Sequence, residues 1–203
     1  PNIQLVLNHT ATFDELVNSQ FDDIVVATGV TPRQLQIDGI DHPKVLSYIQ
    51  VLRERVAVGQ RVAIIGAGGI GFDTAEYLTQ HGESASVNPE KFYDEWGIDT
   101  TYAHVGGLKQ PELEPSEREV FLLQRKHSSV GANLGKTTGW IHRTGLKHRN
   151  VKMIAGAHYQ KIDDEGLHIL VGDKAMTLAV DHVVICAGQE LSLIHISEPT
   201  RRT

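Results

Sequence analysis

The stretch RVAIIGAGGIGFDT (61–74) restricts the fold of this chain more than any other. A short apolar run meets Gly66-Ala67-Gly68-Gly69-Ile70-Gly71. Phe72 to His81 then continues with Ala75 and Leu78 spaced for one buried helical face, and Gly82 as the stop. A strand that runs into G-x-G-x-x-G and opens directly into a helix is the context in which those glycines bind a dinucleotide. Gly66 lets the chain turn sharply out of the strand, and Gly68 lets backbone approach a pyrophosphate with no Cβ in the way. Gly71 lets the helix pack close to the sheet. Gly69 and Ile70 begin the helix, whose free N–H groups and positive dipole end face the phosphates. A purely structural glycine turn is the alternative.

Two further runs, DDIVVATG (22–29) and DHVVICAG (181–188), read as buried parallel strands, and REVFLLQRK (118–126) as a fourth that ends in charge. Helices fit between them. One covers 14–19 behind a Thr12 cap, and another covers 137–149 with Trp140, Ile141 and Leu146 on its inner side. From Val151 to Val184 the pattern changes to alternation with turns at DDEG and GDK, an antiparallel meander. The order predicts an α/β fold: a Rossmann-like doubly wound parallel sheet with an antiparallel β-meander layer laid over it.

A dinucleotide turn needs a residue that reads the adenine ribose, normally about 20 positions on. There the sequence offers only SASVNPEKFYDEWG (84–97). The connection is too long for an ordinary helix–strand turn, so residues 83–118 are read as an insertion. The next strand is then EVFLLQ, and its end is Gln124-Arg125-Lys126. No carboxylate stands there to accept from a 2′-hydroxyl. Arg125 and Lys126 offer charge-assisted contacts to a 2′-phosphate, which selects NADPH over NADH. Two solvated basic residues at a strand end are the alternative.

A second signal lies in the strand ends Ala27-Thr28-Gly29 and Ala187-Gly188. In two-nucleotide flavoproteins a strand ending in A-T-G returns beneath the flavin, and its glycine allows close backbone approach. VVATGVTPR followed by VAIIGAGGIG is the join between an FAD domain and a nested NAD(P)H domain, so the fold is of the FAD/NAD(P)-binding type. The Pro-containing connection TPRQLQIDGIDHPK (31–44) marks the boundary. Residues 1–42 are read as a partial FAD-binding domain and 43–190 as an NADPH-binding domain carrying the insertion. Residues 191–203 are read as a non-native tail, because LSLIHISEPTR resembles a translated sequencing adaptor; a natural polar tail is the alternative.

The formal net charge of −6 argues against a nucleic-acid partner. No apolar run approaches the roughly 20 residues that span a bilayer, so no membrane partner is expected. The single cysteine, Cys186, excludes an internal disulfide or a Cys-rich metal or cluster site within this chain, and its apolar strand makes it a core residue. Eleven histidines show no metal-ligand spacing, and Asp163-Asp164-Glu165 before Gly166 reads as a hairpin turn, so no metal site is assigned. Lys136 either approaches the cofactor phosphates or lies on a solvated helix start, and Arg143 could join the same cluster. Trp96 and Trp140 are read as packing residues, with a ring beside nicotinamide or flavin as the alternative. The opening PNIQLVLNHT has no initiator Met and no signal-like core. It reads as the interior of a longer protein, with the cytoplasm as the default compartment.

Residues 1–190 resemble the C-terminal part of the bacterial 2,4-dienoyl-CoA reductase group of the NADH:flavin oxidoreductases. The resemblance runs through FDDIVVATGVTPR, IDGIDHPKVLSY, AIIGAGGIGFDTA, EWGID, LQRK, LGKTTGWIHR, YQKIDDEGLH and VVICAGQE. It implies a multidomain enzyme in which an N-terminal barrel binds FMN and the dienoyl thioester. An iron–sulfur cluster relays electrons, and an FAD module receives hydride from NADPH. On this basis the chain is the NADPH-binding, hydride-input portion, with part of the FAD site at Thr28 and Gly29 and the nicotinamide pointing past Ala187 and Gly188. Its implied partners are nicotinamide and flavin nucleotides and the missing barrel. FMN and the cluster belong to the full-length enzyme only, which reduces 2,4-dienoyl-CoA thioesters in the β-oxidation of unsaturated fatty acids; the isolated chain lacks the substrate-reducing site. The alternatives are another flavin/iron–sulfur enoate reductase, a trimethylamine dehydrogenase-like enzyme, or a non-catalytic nucleotide-binding module, against which the intact VVATG counts. A disulfide reductase-like flavoenzyme is a further one, against which the missing C-x-x-C and the insertion count.

Overall fold

A computed structural model describes residues 2–191, which divide into two compact units: one from within 1–31 and 189–203, the other 32–188. The elements of the first half are α1 (Phe13–Asn18), β1 (Val30–Pro32), β2 (Val45–Ser47), α2 (Tyr48–Leu52), β3 (Arg61–Ile65), α3 (Gly69–Thr79) and α4 (Pro89–Trp96). Those of the second are β4 (Glu119–Leu123), α5 (Gly139–His148), β5 (Lys152–Ile154), β6 (Ala157–Asp163), β7 (Gly166–Val171), β8 (Lys174–Leu178), β9 (His182–Ile185) and β10 (Gln189–Leu191).

The larger unit is built on a five-stranded sheet of order β2-β9-β3-β4-β5 in which every neighbouring pair is parallel. Its central strands are buried on both faces, which is why they read as unbroken apolar runs. Successive residues still serve different layers. Val62 and Ile64 of β3, Val120 and Leu122 of β4, and Val184 of β9 pack with Phe72, Ala75 and Leu78 of α3 and Leu146 of α5. Ala63, Ile65, Phe121, Leu123 and Val183 face the opposite layer, where they meet Ile162, Leu167, Ile169 and Leu178. That layer is the antiparallel meander β6-β7-β8. The fold is thus helices, parallel sheet and antiparallel sheet in three layers, the α/β class expected from the order of apolar patterns.

Two strands differ from the sequence reading. Val151 to Ile154 does not open the meander: β5 joins the parallel sheet beside β4, with Phe121 opposite Lys152. Val45 to Ser47 supplies the far edge strand, opposite Val183 to Ile185. Both are three residues long, too short for periodicity to register. At the amino-terminal edge Arg61 (Nε 2.8 Å) and Lys152 both pair with Glu119, and together they hold its carboxyl below the usual range, Lys152 foremost. These charges sit on the edge opposite the cleft described below.

The segment between α3 and β4, read from the sequence as an insertion, folds around α4. Asn88 caps it by accepting from the Lys91 N–H at 3.0 Å, Pro89 starts it, and Gly97 in the left-handed region ends it. Trp96 anchors α4 on α5, its ring 6.0 Å from Trp140 edge-on and 5.9 Å from His148. Asp99 closes the following loop. Its carboxylate accepts from the Thr101 hydroxyl (2.6 Å) and from the His104 backbone (2.8 Å), and it pairs with His104 Nδ1, contacts that hold it well below the ordinary carboxylate range. Trp140 and Ile141 were expected on the inner side of their helix. They are 53% and 39% exposed, and Leu146 alone of the three is core. The sheet-facing stripe of α5 passes through Leu146, leaving Trp140 to the insertion.

In the smaller unit, α1 forms where expected. Thr12 accepts from the Glu15 N–H and Glu15 accepts from the Thr12 N–H, a complete capping box. Residues 22–29 do not form the expected strand, and Val25 is 88% exposed. An apolar run becomes a strand only where a neighbouring strand takes up its N–H and C=O groups, and residues 22–29 join no strand ladder among the described residues. Pairing starts at Val30, where β1 meets β10. Of the expected non-native tail only Leu191 is described, as the last residue of β10; the remainder lies outside the described residues.

Candidate functional site

At the carboxyl ends of β3, β4 and β9 the larger unit opens into a cleft of about 730 Å³, within the usual range for cofactor sites. From β3 the chain moves to β4 on one side, while β9 returns on the other, so the cleft lies at the topological switch point where parallel sheets bind ligands. Its lining includes Gly66, Ala67 and Gly68 after β3, Gln124, Arg125 and Lys126 after β4, and Ala187 and Gly188 after β9. Residues far apart in sequence and singled out from it therefore converge.

The glycine turn is made by close backbone contact. Gly66 has φ +111°, its N–H donates to the Leu123 carbonyl at 2.9 Å, and a Cβ there would stand 2.7 Å from the Cys186 carbonyl. Gly71 is buried in the first turn of α3, where a methyl group would overlap the Gly66 carbonyl oxygen. Gly68 and Gly69, by contrast, face open space. Gly68 is the N-cap of α3 with no side chain capping the helix, so unsatisfied N–H groups and the positive dipole end are left for an anion. Ile70 turns the other way and packs on the core.

The opposite wall is basic. Gln124 shapes it by donating from Nε2 to the carbonyls of Lys126 (3.1 Å) and Ser128 (2.5 Å). Arg125 and Lys126 are exposed there, and neither makes an ion pair among the described residues. Arg33 adds a third cation beside Gly188. The cleft has no carboxylate in its lining although the chain carries a net charge of −6. Such a surface suits a polyanionic ligand, and the open glycine turn fits the pyrophosphate of a dinucleotide.

Several lining residues were not identified from the sequence: Arg33, Gln36, Asn133, His158 and Tyr159. Arg33 follows the A-T-G strand in VVATGVTPR, which was the one available signal. Burial pushes the Tyr159 phenol up to about 12, against the opposing effect of Arg125, so it remains a hydrogen-bond donor at neutral pH. Other expectations fall elsewhere. Arg143 does not join the basic wall; its Nη1 donates to the Gly131 carbonyl at 2.9 Å and steadies the loop before α5. Lys136 is exposed and does not line the cleft. Thr28 and Gly29 belong to the smaller unit, where Gly29 has φ +90° with open space around its Cα. His168, from β7, comes within reach of Asp163 and Glu165 at the DDEG hairpin, a grouping the linear pattern hid, but Lys161 already pairs with Asp163 at 2.7 Å.

Cys186 lies against Thr74 of α3, its thiol 3.5 Å from Thr74 Oγ1 and 5% exposed. Burial pushes the thiol up to about 12, which leaves almost no thiolate, the reactive form, at neutral pH. A disulfide-exchange reagent at pH near 8 is therefore expected to leave Cys186 unmodified in the native protein and to label it at once in denaturant. Rapid labelling of the native protein would contradict the burial.

Known proteins agree with this architecture. A cinnamate reductase from Clostridium sporogenes is 39% identical over 85 residues, covering 42% of this chain and 12% of its own. A metal reductase from Desulforamulus reducens is 24% identical over 83% of this chain and 24% of its own. The chain thus spans a quarter or less of the length of these curated relatives. Among solved structures, a 2-naphthoyl-CoA reductase in complex with 2-naphthoyl-CoA is 25% identical with a TM-score of 0.61, covering 93% of this chain and 23% of its own. The bacillithiol disulfide reductase of Staphylococcus aureus, at 17% identity and a TM-score of 0.54 over 83% of this chain and 41% of its own, shares the fold. None of the described helices is long and apolar enough to cross a membrane. With residues 3–196 matched to the family described as pyridine nucleotide-disulphide oxidoreductase, the chain belongs to that family of FAD- and NAD(P)-binding oxidoreductases.

Proposed function

We propose that this chain is the NADPH-binding, hydride-input portion of a flavin-dependent reductase acting on conjugated enoyl thioesters, with 2,4-dienoyl-CoA as the substrate. The observation that carries the nucleotide half of this reading is the pairing of an open glycine turn with a basic, carboxylate-free wall formed by Arg125 and Lys126. In this reading Gly66 and Gly68 let the backbone approach the pyrophosphate, and the first N–H groups of α3, from Gly69 and Ile70, donate to it. Arg125 and Lys126 hold the 2′-phosphate, and Gly188 keeps a backbone wall without a side chain near the nicotinamide end. In the same reading the Tyr159 phenol, kept protonated by burial, is available within the cleft as a donor to the nucleotide. When bound, the nicotinamide supplies a hydride and a flavin accepts it; Thr28 and Gly29 are assigned to the flavin side, as part of a site completed by residues beyond this chain. We take 1–42 as the FAD-side segment and 43–190 as the NADPH domain. An upstream barrel with FMN and an iron–sulfur cluster would carry the substrate chemistry, and the cytoplasm would house the enzyme.

The substrate half rests on the resemblance noted in the sequence and on relatives whose names specify conjugated acids or their thioesters. The cinnamate reductase match favours a second reading, a reductase of free α,β-unsaturated acids. Anaerobic assays of the intact polypeptide with NADPH as donor separate the two. Turnover of a 2,4-dienoyl-CoA but not of the free cinnamate supports the first; turnover of cinnamate alone replaces it with the second.

A further inference from the structure

The exit of β4 and the start of β6 are tied together by two backbone hydrogen bonds, Ala157 N–H to the Gln124 carbonyl (3.0 Å) and Gly156 N–H to the Lys126 carbonyl (2.9 Å). This brings two histidines, one from each segment, to the basic wall. The ring of His127 lies 6.5 Å from that of His158, inclined at 55°. His127 packs beneath Gly156, where a Cβ would stand 2.8 Å from its Nδ1. His158 is exposed and lines the cleft beside Tyr159, Arg125 and Lys126, and it pairs across the meander with Leu170, which carries no charge. The other charged group of the cleft lining is Arg33, and no carboxylate lines it.

Imidazole is the side chain whose charge changes between pH 5 and 8. A phosphate monoester is largely dianionic above about pH 6. Between those limits an imidazole beside a dianionic phosphate gains a proton as the phosphate binds, whereas an unphosphorylated ribose gives it no reason to. We propose that His158 is a proton-dependent specificity residue of this cleft: in its charged form it extends the Arg125–Lys126 wall to the 2′-phosphate, so that preference for NADPH over NADH rises as pH falls towards 6.5. The inference rests on the NADPH reading above and adds to it a dependence that fixed Arg and Lys charges do not produce.

The test is equilibrium titration of the full polypeptide with NADPH and with NADH at about pH 8 and about pH 6.5. The wild type is expected to tighten for NADPH by about fivefold over this interval, the scale of one charge-assisted contact at an exposed site, with NADH unchanged. His158→Gln is expected to abolish that gain while leaving NADH binding and the melting temperature as they were. His158→Lys, with a permanent charge, is expected to bind NADPH tightly at both pH values. A His158→Gln protein that keeps the full pH-dependent gain overturns the inference. Arg125→Ala, measured alongside, separates the two levels: if it loses NADPH selectivity while His158→Gln changes nothing, the nucleotide reading stands and the histidine role falls. If Arg125→Ala leaves selectivity intact, the nucleotide reading falls and the inference with it.

Discussion

Gly71→Ala is expected to destabilise the larger unit by about 3 kcal/mol or more, at the upper end of single substitutions, and to abolish dinucleotide binding. The added methyl group would overlap the carbonyl oxygen of Gly66, a backbone atom held by the sheet, with the Leu122 side chain 3.5 Å behind. Neither can move alone. Gly66 N–H is bonded to the Leu123 carbonyl, and Gly66 itself lies against the Cys186 carbonyl and Ala187. Relief therefore requires α3 to withdraw from β3, opening the core around Phe72, Ala75 and Leu78 and displacing the glycine turn together with it. For a domain of this size the loss corresponds to a fall in melting temperature of roughly 6–12 °C. Gly69→Ala is the control. It adds the same atom two residues earlier, where nothing lies within 4 Å, at a helical position that favours alanine. It should leave the melting temperature unchanged or raise it slightly. Similar losses from both substitutions would contradict a packing role specific to Gly71.

Arg125→Ala should raise the dissociation constant for NADPH by about 10- to 100-fold while changing that for NADH less than about twofold, because a hydrogen bond to a charged group contributes about 1.5–3 kcal/mol. The side chain is exposed and makes no ion pair among the described residues, so its removal leaves no buried charge and disturbs no packing. The effect should appear only with the 2′-phosphate. Its exposure also places it within reach of screening, so the discrimination should shrink as ionic strength rises past 0.1 M, where the Debye length is about 10 Å. Isothermal titration of wild type and variant with both nucleotides at two salt concentrations measures all of this. Equal losses for the two nucleotides would remove Arg125 from the 2′-phosphate site.

The fold class was legible because its main signals are local. The strand–turn–helix from Arg61 to Thr79 announces itself through its glycines, of which Gly66 and Gly71 leave no room for a Cβ against nearby backbone. The meander shows in a change of period, and the start of α1 in the Thr12 cap. The excess length of residues 83–118 was legible too, and that segment carries α4. Where a reading failed, the missing information was non-local. Residues 22–29 have strand composition but meet no ladder partner among the described residues. Trp140 looked like core on helical period, yet its partner is Trp96, supplied by the insertion. His168 joins Asp163 only through the hairpin register.

The sequence by itself determined the glycine turn between β3 and α3, the α/β class, and the basic character of the β4 end, because each depends on local pattern. Only the tertiary structure decided that Arg33, His158 and Tyr159 share a cleft with that turn. Their placement follows from hydrogen bonds between the β6 start and the β4 exit, and from Arg33 N–H donating to the Gly188 carbonyl at 3.1 Å. Such contacts join segments tens of residues apart, and no periodicity in the chain encodes which of them will meet.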